Sequence, residues 1–249
     1  MKGSVLVTGG ARRIGRVICE MLAARGWRVL AHSRDPGNPL RADFREPGAA
    51  ERLLAVALAQ APDLCAIVNS AAMFSTAAEL PPDEAAALRA VNVAVPVRLT
   101  ELLAAHLAAR HMAGAVVNLL DTRILGVFHG GQDTQDTQDT QGSQLASRYN
   151  GRALAPYAES KLALARATVA QARRLAPALR VNGVAPGPVL PPTDAANREK
   201  GGAILLPRRP APDDVASAVA FLLEAEAVTG QILAVDSGQS LLRAELMVY

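Results

Sequence analysis

The chain is poor in the residues that would commit it to several classes of function. In 249 residues it has two cysteines, one tryptophan, three tyrosines and four phenylalanines. Cys19 falls in an expected helix and Cys65 at the start of an expected strand, so they build neither a disulfide framework nor a metal-ligand spacing, and no metal site is expected. Aromatic residues at 3 % offer few stacking platforms for bases, and the formal charge of +3 comes with arginines scattered along the chain. Both features argue against a nucleic-acid partner and leave open a local basic pocket for phosphate. No uninterrupted apolar run approaches the roughly 20 residues that cross a bilayer, and the N-terminus lacks a signal-peptide pattern. These absences lead to the expectation of a soluble cytoplasmic protein with no membrane partner.

What is present suits one α/β domain over residues 1–249. Half of the residues are hydrophobic and a fifth are charged, enough to bury a large core without a second domain. The chain is organised around Val5-Leu6-Val7-Thr8-Gly9-Gly10-Ala11-Arg12-Arg13-Ile14-Gly15. A short apolar run reads as a buried parallel strand, the glycines make a turn, and Ile14 to Ala24 carries the apolar spacing of a helix. Glycine lets backbone approach a ligand closely, and the unpaired amides of a helix start favour an anion. Such a turn commonly holds a dinucleotide pyrophosphate, and Arg12 and Arg13 add positive charge to it.

A second strand from Trp27 to Ala31 leads into His32-Ser33-Arg34-Asp35. An acidic residue at this strand end would bind the ribose 2′-hydroxyl of NAD, whereas serine and arginine suit the 2′-phosphate of NADP. With His32 standing about where the acid would be, Ser33, Arg34 and Arg12 point to NADP, while Asp35 keeps NAD open. Further strands are expected at Leu64 to Asn69, Ala115 to Leu120, Leu179 to Val184 and Gln231 to Val235. Helices are expected at about Gly48 to Gln60, Pro82 to Ala109 with an interruption near Asn92, Pro156 to Leu175, and Asp213 to Ala225. Tyr157 and Lys161 lie four residues apart, hence on one helix face, where a lysine beside a phenol favours the phenolate.

The pattern Thr8-Gly9-x3-Arg13-x-Gly15, followed in order by Asn92, Asp121, Tyr157-x3-Lys161 and Pro186-Gly187 over nearly the whole chain, resembles the short-chain dehydrogenase/reductase family. Gly-Gly-Ala-Arg-Arg-Ile-Gly is similar to its pteridine reductase branch. The resemblance implies a Rossmann-type doubly wound α/β fold with a seven-stranded parallel sheet and helices on both faces. It implies that Gly9, Arg12, Arg13, Ile14 and Gly15 hold the cofactor phosphates, and that His32, Ser33 and Arg34 lie near its adenosine ribose. Asp43 and Phe44 would lie at the adenine, Asn69, Ser70 and Ala71 beside the first strand, and Pro186, Gly187 and Val189 at the nicotinamide carboxamide. Tyr157 and Lys161 would act with the backbone carbonyl of Asn92, which holds a water. Phe74 would sandwich a flat substrate against the nicotinamide, and Arg13 would bridge phosphate and substrate. Ala72 departs from the branch by lacking a hydroxyl that some members carry. The Thr229-Gly230-Gln231 and Asp236-Ser237-Gly238-Gln239 segments resemble the family's C-terminal strand, which implies a homodimer or homotetramer.

Most members of the family carry a serine where Asn118-Leu119-Leu120-Asp121 has an aspartate, as in pteridine reductases. A carboxylate only accepts, so it repels a carbonyl oxygen and suits a substrate rich in N–H groups. Its charge also opposes ionisation of Tyr157, keeping the phenol a proton donor. An alternative has Asp121 merely capping the loop, with Thr122 as the serine equivalent. Between Asp121 and Tyr157 stand 35 residues with three copies of Gln-Asp-Thr at 132–140. The stretch at about 128–150 reads as a solvated low-complexity insertion, either neutral repeat expansion or a lid. Thr193 to Pro210 looks like the variable substrate loop.

Together these features imply an NADPH-dependent oxidoreductase that reduces a C=N bond of a dihydropteridine, with Tyr157, Lys161, Asp121 and Asn92 catalytic and Arg13, Phe74, Asp121 and Tyr157 meeting the substrate. A carbonyl or 3-oxoacyl thioester reductase of the same fold is the alternative enzyme. A non-catalytic NADP-binding regulator is a third reading, against which the intact Tyr157, Lys161 and Asn92 argue.

Overall fold

The structure, a computed structural model, describes residues 2–125, 155–189 and 203–245. The Gln-Asp-Thr insertion and residues 193–202 of the expected substrate loop lie outside the described residues. The described chain runs β1 (Ser4–Thr8), α1 (Arg13–Ala24), β2 (Arg28–Ala31), α2 (Ala49–Gln60), β3 (Leu64–Asn69) and α3 (Pro82–Arg89). A π-helical turn (Ala90–Ala94) joins α3 to α4 (Val95–Ala109). Then come β4 (Gly114–Leu119), a 3-10 turn (Thr122–Ile124), α5 (Pro156–Leu175), β5 (Leu179–Pro186), α6 (Pro212–Glu224), β6 (Ile232–Val235) and α7 (Gln239–Glu245).

The strands form one parallel sheet of 6 in the order β2-β1-β3-β4-β5-β6. Seven strands were expected, and the described residues form six, with one isolated parallel bridge between Ser33 and Arg41 outside them.

Alternation along the strands feeds two cores. Leu6, Ile67, Val116 and Val181 face α2 and α4, where Leu53, Leu99, Leu103 and Leu107 are buried. Val5, Val7, Val68, Val117 and Val184 face α1 and α6, meeting Ile18, Leu22, Val219 and Leu222. A sheet covered on both faces needs apolar residues at successive positions, which is why its strands read as continuous hydrophobic runs. Against expectation, the helical run Pro82–Ala109 is long and apolar enough to cross a membrane by length and hydropathy alone. Its Leu99, Leu103 and Leu107 are instead fully buried on the sheet, where each stabilises the fold by about 1.5–3 kcal/mol.

Strand order reverses between β1 and β3, the place at the carboxyl ends of the strands where open α/β sheets take their ligands. Register sets what meets at that rim. Thr8 pairs with Asn69 and Asn69 with Asn118, while Leu119 pairs with Val184, so the segments after β1, β3, β4 and β5 emerge together.

Candidate active site

The glycine turn after β1 has a bare inner surface. Gly9 adopts φ +67, and a Cβ there would lie 3.0 Å from the Cα of Ala71. One on Gly15 would lie 2.2 Å from the carbonyl oxygen of Gly9, so any side chain would push the turn open. Arg13, the first residue of α1, takes φ 50, a left-handed value that favours glycine. Its position is where the usual fingerprint has its middle glycine. Arg12 and Arg13 are exposed, while Ile14 is half-buried against the core. Thr8, which the sequence reading did not assign to the site, ties this turn to the next one: its Oγ1 accepts from the backbone N–H groups of Ser70 (3.0 Å) and Ala71 (3.1 Å).

His32 works from inside the protein. Its Nδ1 accepts from the Gly9 N–H at 3.2 Å, its Nε2 lies 3.1 Å from the Ala42 carbonyl oxygen, and its ring stacks on Phe44 with centroids 4.4 Å apart. These partners require the neutral tautomer with the proton on Nε2, and burial lowers its pKa below the ordinary value. Both ring nitrogens of His32 are engaged by backbone and its side chain is buried, so it holds the end of β2 to the glycine turn from within. Phe44 and Asn69 are likewise buried. Asn69 donates to Asn118 Oδ1 at 2.8 Å, and Asn118 donates to Thr168 at 2.9 Å, tying β3, β4 and α5 together. Ser33, Arg34 and Arg12 cluster at the β2 end with Asp35. Asp43 is held by Arg45, whose guanidinium keeps that carboxyl down at about 2. On the other side, Gly187 donates to the Val235 carbonyl at 2.9 Å, and a Cβ there would meet Asp236 at 2.9 Å. Val189 is half-buried beside the same core.

Phe74, Asp121, Tyr157 and Lys161 come together at the centre of the rim. Tyr157 is buried, and its ring meets Phe74 edge to face at 4.9 Å, while Phe74 is 58 % exposed. Lys161, one helical turn along α5, is 3 % exposed and donates from Nζ to the Leu119 carbonyl oxygen at 2.8 Å. Burial lowers its pKa to about 8. Burial, with the Asp121 charge second and its hydrogen bond adding to both, pushes the Tyr157 phenol well above its ordinary range, although the Arg123 charge pulls the other way. Asp121 acts on the tyrosine through its charge and also caps the 3-10 turn that follows it. Thr122 is buried inside the 3-10 turn, and Asp121 Oδ1 accepts the Arg123 backbone N–H at 2.8 Å.

Two more residues belong to this group. Arg123 lies 3.7 Å from Asp121 and places its guanidinium carbon 5.5 Å from the Phe74 centroid and 6.0 Å from that of Tyr157. Ser160 accepts from Asn92 Nδ2 at 3.0 Å and donates to the Tyr157 carbonyl at 2.7 Å. Asn92 sits in the π-helical turn and clamps Met73 at both ends, accepting from its N–H at 2.8 Å and donating to its carbonyl at 2.9 Å. Its side chain thereby fixes the residue before Phe74. The interruption near Asn92 was expected from the sequence, but the Met73 clamp and the Arg123 contacts were not, since each is made with a partner on another element.

The bare glycine cradle fits a dinucleotide, and an anion already lies between Arg12 and Ser33 in the form of the Asp35 carboxylate. A buried proton-donating phenol with an adjacent lysine can serve proton transfer beside such a group.

Comparison with known proteins agrees with this architecture. The short chain dehydrogenase family profile matches residues 3–121, and the enoyl-(acyl carrier protein) reductase profile matches residues 140–240. The structure of the FolM alternative dihydrofolate reductase of Brucella canis complexed with NADP superposes with a TM-score of 0.73 at 30 % identity, over 96 % of this chain and 94 % of that one. The chain belongs to the short-chain dehydrogenase/reductase family of oxidoreductases. A protein named as granaticin polyketide synthase ketoacyl reductase 2, from Streptomyces violaceoruber, is 31 % identical over 95 % of this chain and 96 % of its own length. The dihydromonapterin reductase of Enterobacter sp. (strain 638) is 26 % identical over 95 % and 96 %. Likeness to the FolM and dihydromonapterin reductases supports the pteridine reductase-like branch of the family.

Proposed function

We propose that the protein is an NADPH-dependent reductase acting on a C=N bond of a dihydropteridine. The observation that carries this reading is the Asp121 carboxylate set against the buried Tyr157 phenol beside the exposed ring of Phe74. NADP bound to the FolM relative supports the choice of cofactor, as do Arg12, Ser33 and Arg34 at the β2 end. NADPH, when bound, supplies the hydride.

The chain's residues do the rest. Gly9, Arg12, Arg13, Ile14 and Gly15 cradle the pyrophosphate, and Arg12, Ser33 and Arg34 take the 2′-phosphate, with His32 holding the loop from within. Asp43 and Phe44 flank the adenine, Ser70 and Ala71 line the crevice through backbone, and Pro186, Gly187 and Val189 meet the carboxamide. Lys161 binds the ribose and offsets negative charge developing on Tyr157 Oη. Tyr157 gives its proton to the ring nitrogen of the substrate. Asp121 keeps that phenol protonated until transfer and accepts a substrate N–H. Phe74 stacks on the flat ring, Arg13 reaches between phosphate and substrate, and the Asn92 carbonyl supports the water that returns the proton. A homodimer or homotetramer is the inferred assembly, and Phe221 on α6 and Leu233 on the edge strand β6 offer it exposed apolar surface.

The second reading, a carbonyl or 3-oxoacyl thioester reductase, is favoured by the likeness to the granaticin ketoacyl reductase. Following NADPH oxidation by the purified protein with dihydropterins, simple ketones and 3-oxoacyl thioesters separates the two. Dihydropterin turnover well above that of ketones is expected. Brisk ketone or thioester turnover without dihydropterin turnover would reverse the order.

A further inference from the structure

Arg123 is set apart within its own turn. Thr122, Ile124 and Leu125 on either side of it are buried, while its side chain keeps 35 % exposure. The Asp121 cap takes only the backbone N–H of this residue, at 2.8 Å, and any residue but proline supplies that. The buried neighbours hold the turn to the core, so the Arg123 side chain is delivered to the rim. There its guanidinium carbon lies 5.5 Å from the Phe74 centroid and 6.0 Å from that of Tyr157, close to both the exposed ring and the phenol. Its Nε stands 3.7 Å from Asp121 Oδ1, too far for a hydrogen bond, so that pair is electrostatic. Asp121 is the deeper of the two, at 17 % exposed, and an incoming ligand meets the cation first.

We propose that Arg123 is the receptor for an anion on the substrate, which is then a dihydropteridine carrying a carboxylate or phosphate on a short side chain; the inference rests on the reading of Phe74 and Tyr157 as partners of the substrate ring. In such a dihydropteridine the carbon of the reducible C=N bond also bears the side chain. The nitrogen of that bond takes the proton of Tyr157, so the side chain leaves the ring close to the phenol, where the guanidinium stands. Charge-assisted hydrogen bonds to carboxylate or phosphate are about 2.8 Å long, which confines the anion to within a few bonds of the ring. A guanidinium over an aromatic ring still offers its planar fork of donors to a pair of oxygens, whereas an ammonium in its place is a point charge. A neutral side chain gains less from the same cation.

Steady-state NADPH oxidation by the full chain tests this with three probes: dihydroneopterin, whose side chain is neutral, its monophosphate ester, and a dihydropterin bearing a carboxymethyl group. KM is expected to be about two- to five-fold lower for an anionic probe than for the neutral one, the scale of one partly exposed ion pair. The gap should close as salt is added, because exposed charges are screened. A gap with either anion supports the proposal, and the probe that shows it distinguishes carboxylate from phosphate. Arg123→Gln should abolish the gap, Arg123→Glu should invert it, and Arg123→Lys should keep part of it. NADPH dissociation constants, read from nicotinamide fluorescence, report that each variant retains a folded cofactor site. Equal KM values for all three probes in the unaltered protein, or a gap that survives Arg123→Gln, overturn the proposal while leaving dihydropterin turnover, and the reading of the site, in place. No turnover of any dihydropterin sinks that reading and this inference with it.

Discussion

The carboxylate of Asp121 lies close to the Tyr157 phenol, and its negative charge adds to burial in holding that phenol above its ordinary pKa. Asp121→Asn removes the charge but keeps the shape. Tyr157 should then ionise at lower pH, read as phenolate absorbance against a Tyr157→Phe reference, and kcat/KM for a dihydropterin should fall by about 100-fold or more. NADPH affinity should stay put. An unmoved phenolate titration would detach the carboxylate from the tyrosine.

Lys161 titrates near 8 because it is enclosed, with the Asp121 charge raising its pKa against that burial. Its ammonium is needed beside Tyr157, so kcat/KM should drop as pH rises through about 8. Asp121→Asn should move that limb to lower pH, and Lys161→Met should abolish it along with most activity. The same burial acts on stability with a definite sign. An unfolded lysine keeps its proton to about 10.4, so the folding penalty is full below about 8 and relaxes as pH climbs between the two values.

Asn92→Ala strips both hydrogen bonds from Met73 and leaves its N–H and C=O without their partner. The expected loss is about 1–3 kcal/mol of stability, seen as a lower denaturation midpoint. Substrate KM should rise more than the NADPH dissociation constant, because Phe74 follows Met73 directly. Asn92→Asp, which keeps the acceptor for the Met73 N–H, should recover part of both.

His32 is an acceptor for Gly9 only while neutral. Its pKa is lowered by burial, with Arg34 adding to the shift, so the unfolded chain takes up the proton first as pH falls. Stability from this site is complete above the unfolded value of about 6.5 and is lost as pH drops through it toward the lower folded value. His32→Phe retains a ring for Phe44 but neither hydrogen bond. It should weaken NADPH binding and flatten the acid limb of a denaturation series run from about pH 7.5 to about pH 5.

Arg123 holds a cation over Phe74 and close to Tyr157. Arg123→Met should raise KM a few-fold for a dihydropterin with a carboxylate tail and much less for one with a methyl group there, in keeping with about 0.5–1 kcal/mol for a rim contact of this kind. It should also push the Tyr157 ionisation further up, since Arg123 lowers it. Equal KM changes for the two substrates would remove Arg123 from substrate selection.

Most of the fold was legible. The strands β3 and β4, the helix from Pro156 to Leu175 and the break near Asn92 follow from apolar period, Pro at a helix start and a helix interruption, all of them local signals. The strand count was not, because a family pattern implied seven strands where the described residues form six, and no local stretch of the sequence named the seventh. Tyr157, Lys161 and Asp121 were readable as a chemical set from spacing and order. Arg123, Thr8 and the Asn92 clamp were not, since each acts through a partner on another element.

The sequence alone determined the alternation of strands and helices, the glycine turn and the placing of Tyr157 and Lys161 on one helix face, because periodicity, turn chemistry and side-chain type are carried by neighbouring residues. Only the tertiary structure decided that His32 turns inward to Gly9, that Asp35 reaches Arg12, and that Asn92 grips Met73. Those contacts depend on how parallel strands align at the rim, and that alignment is set by packing on both faces of the sheet rather than by any one stretch of chain.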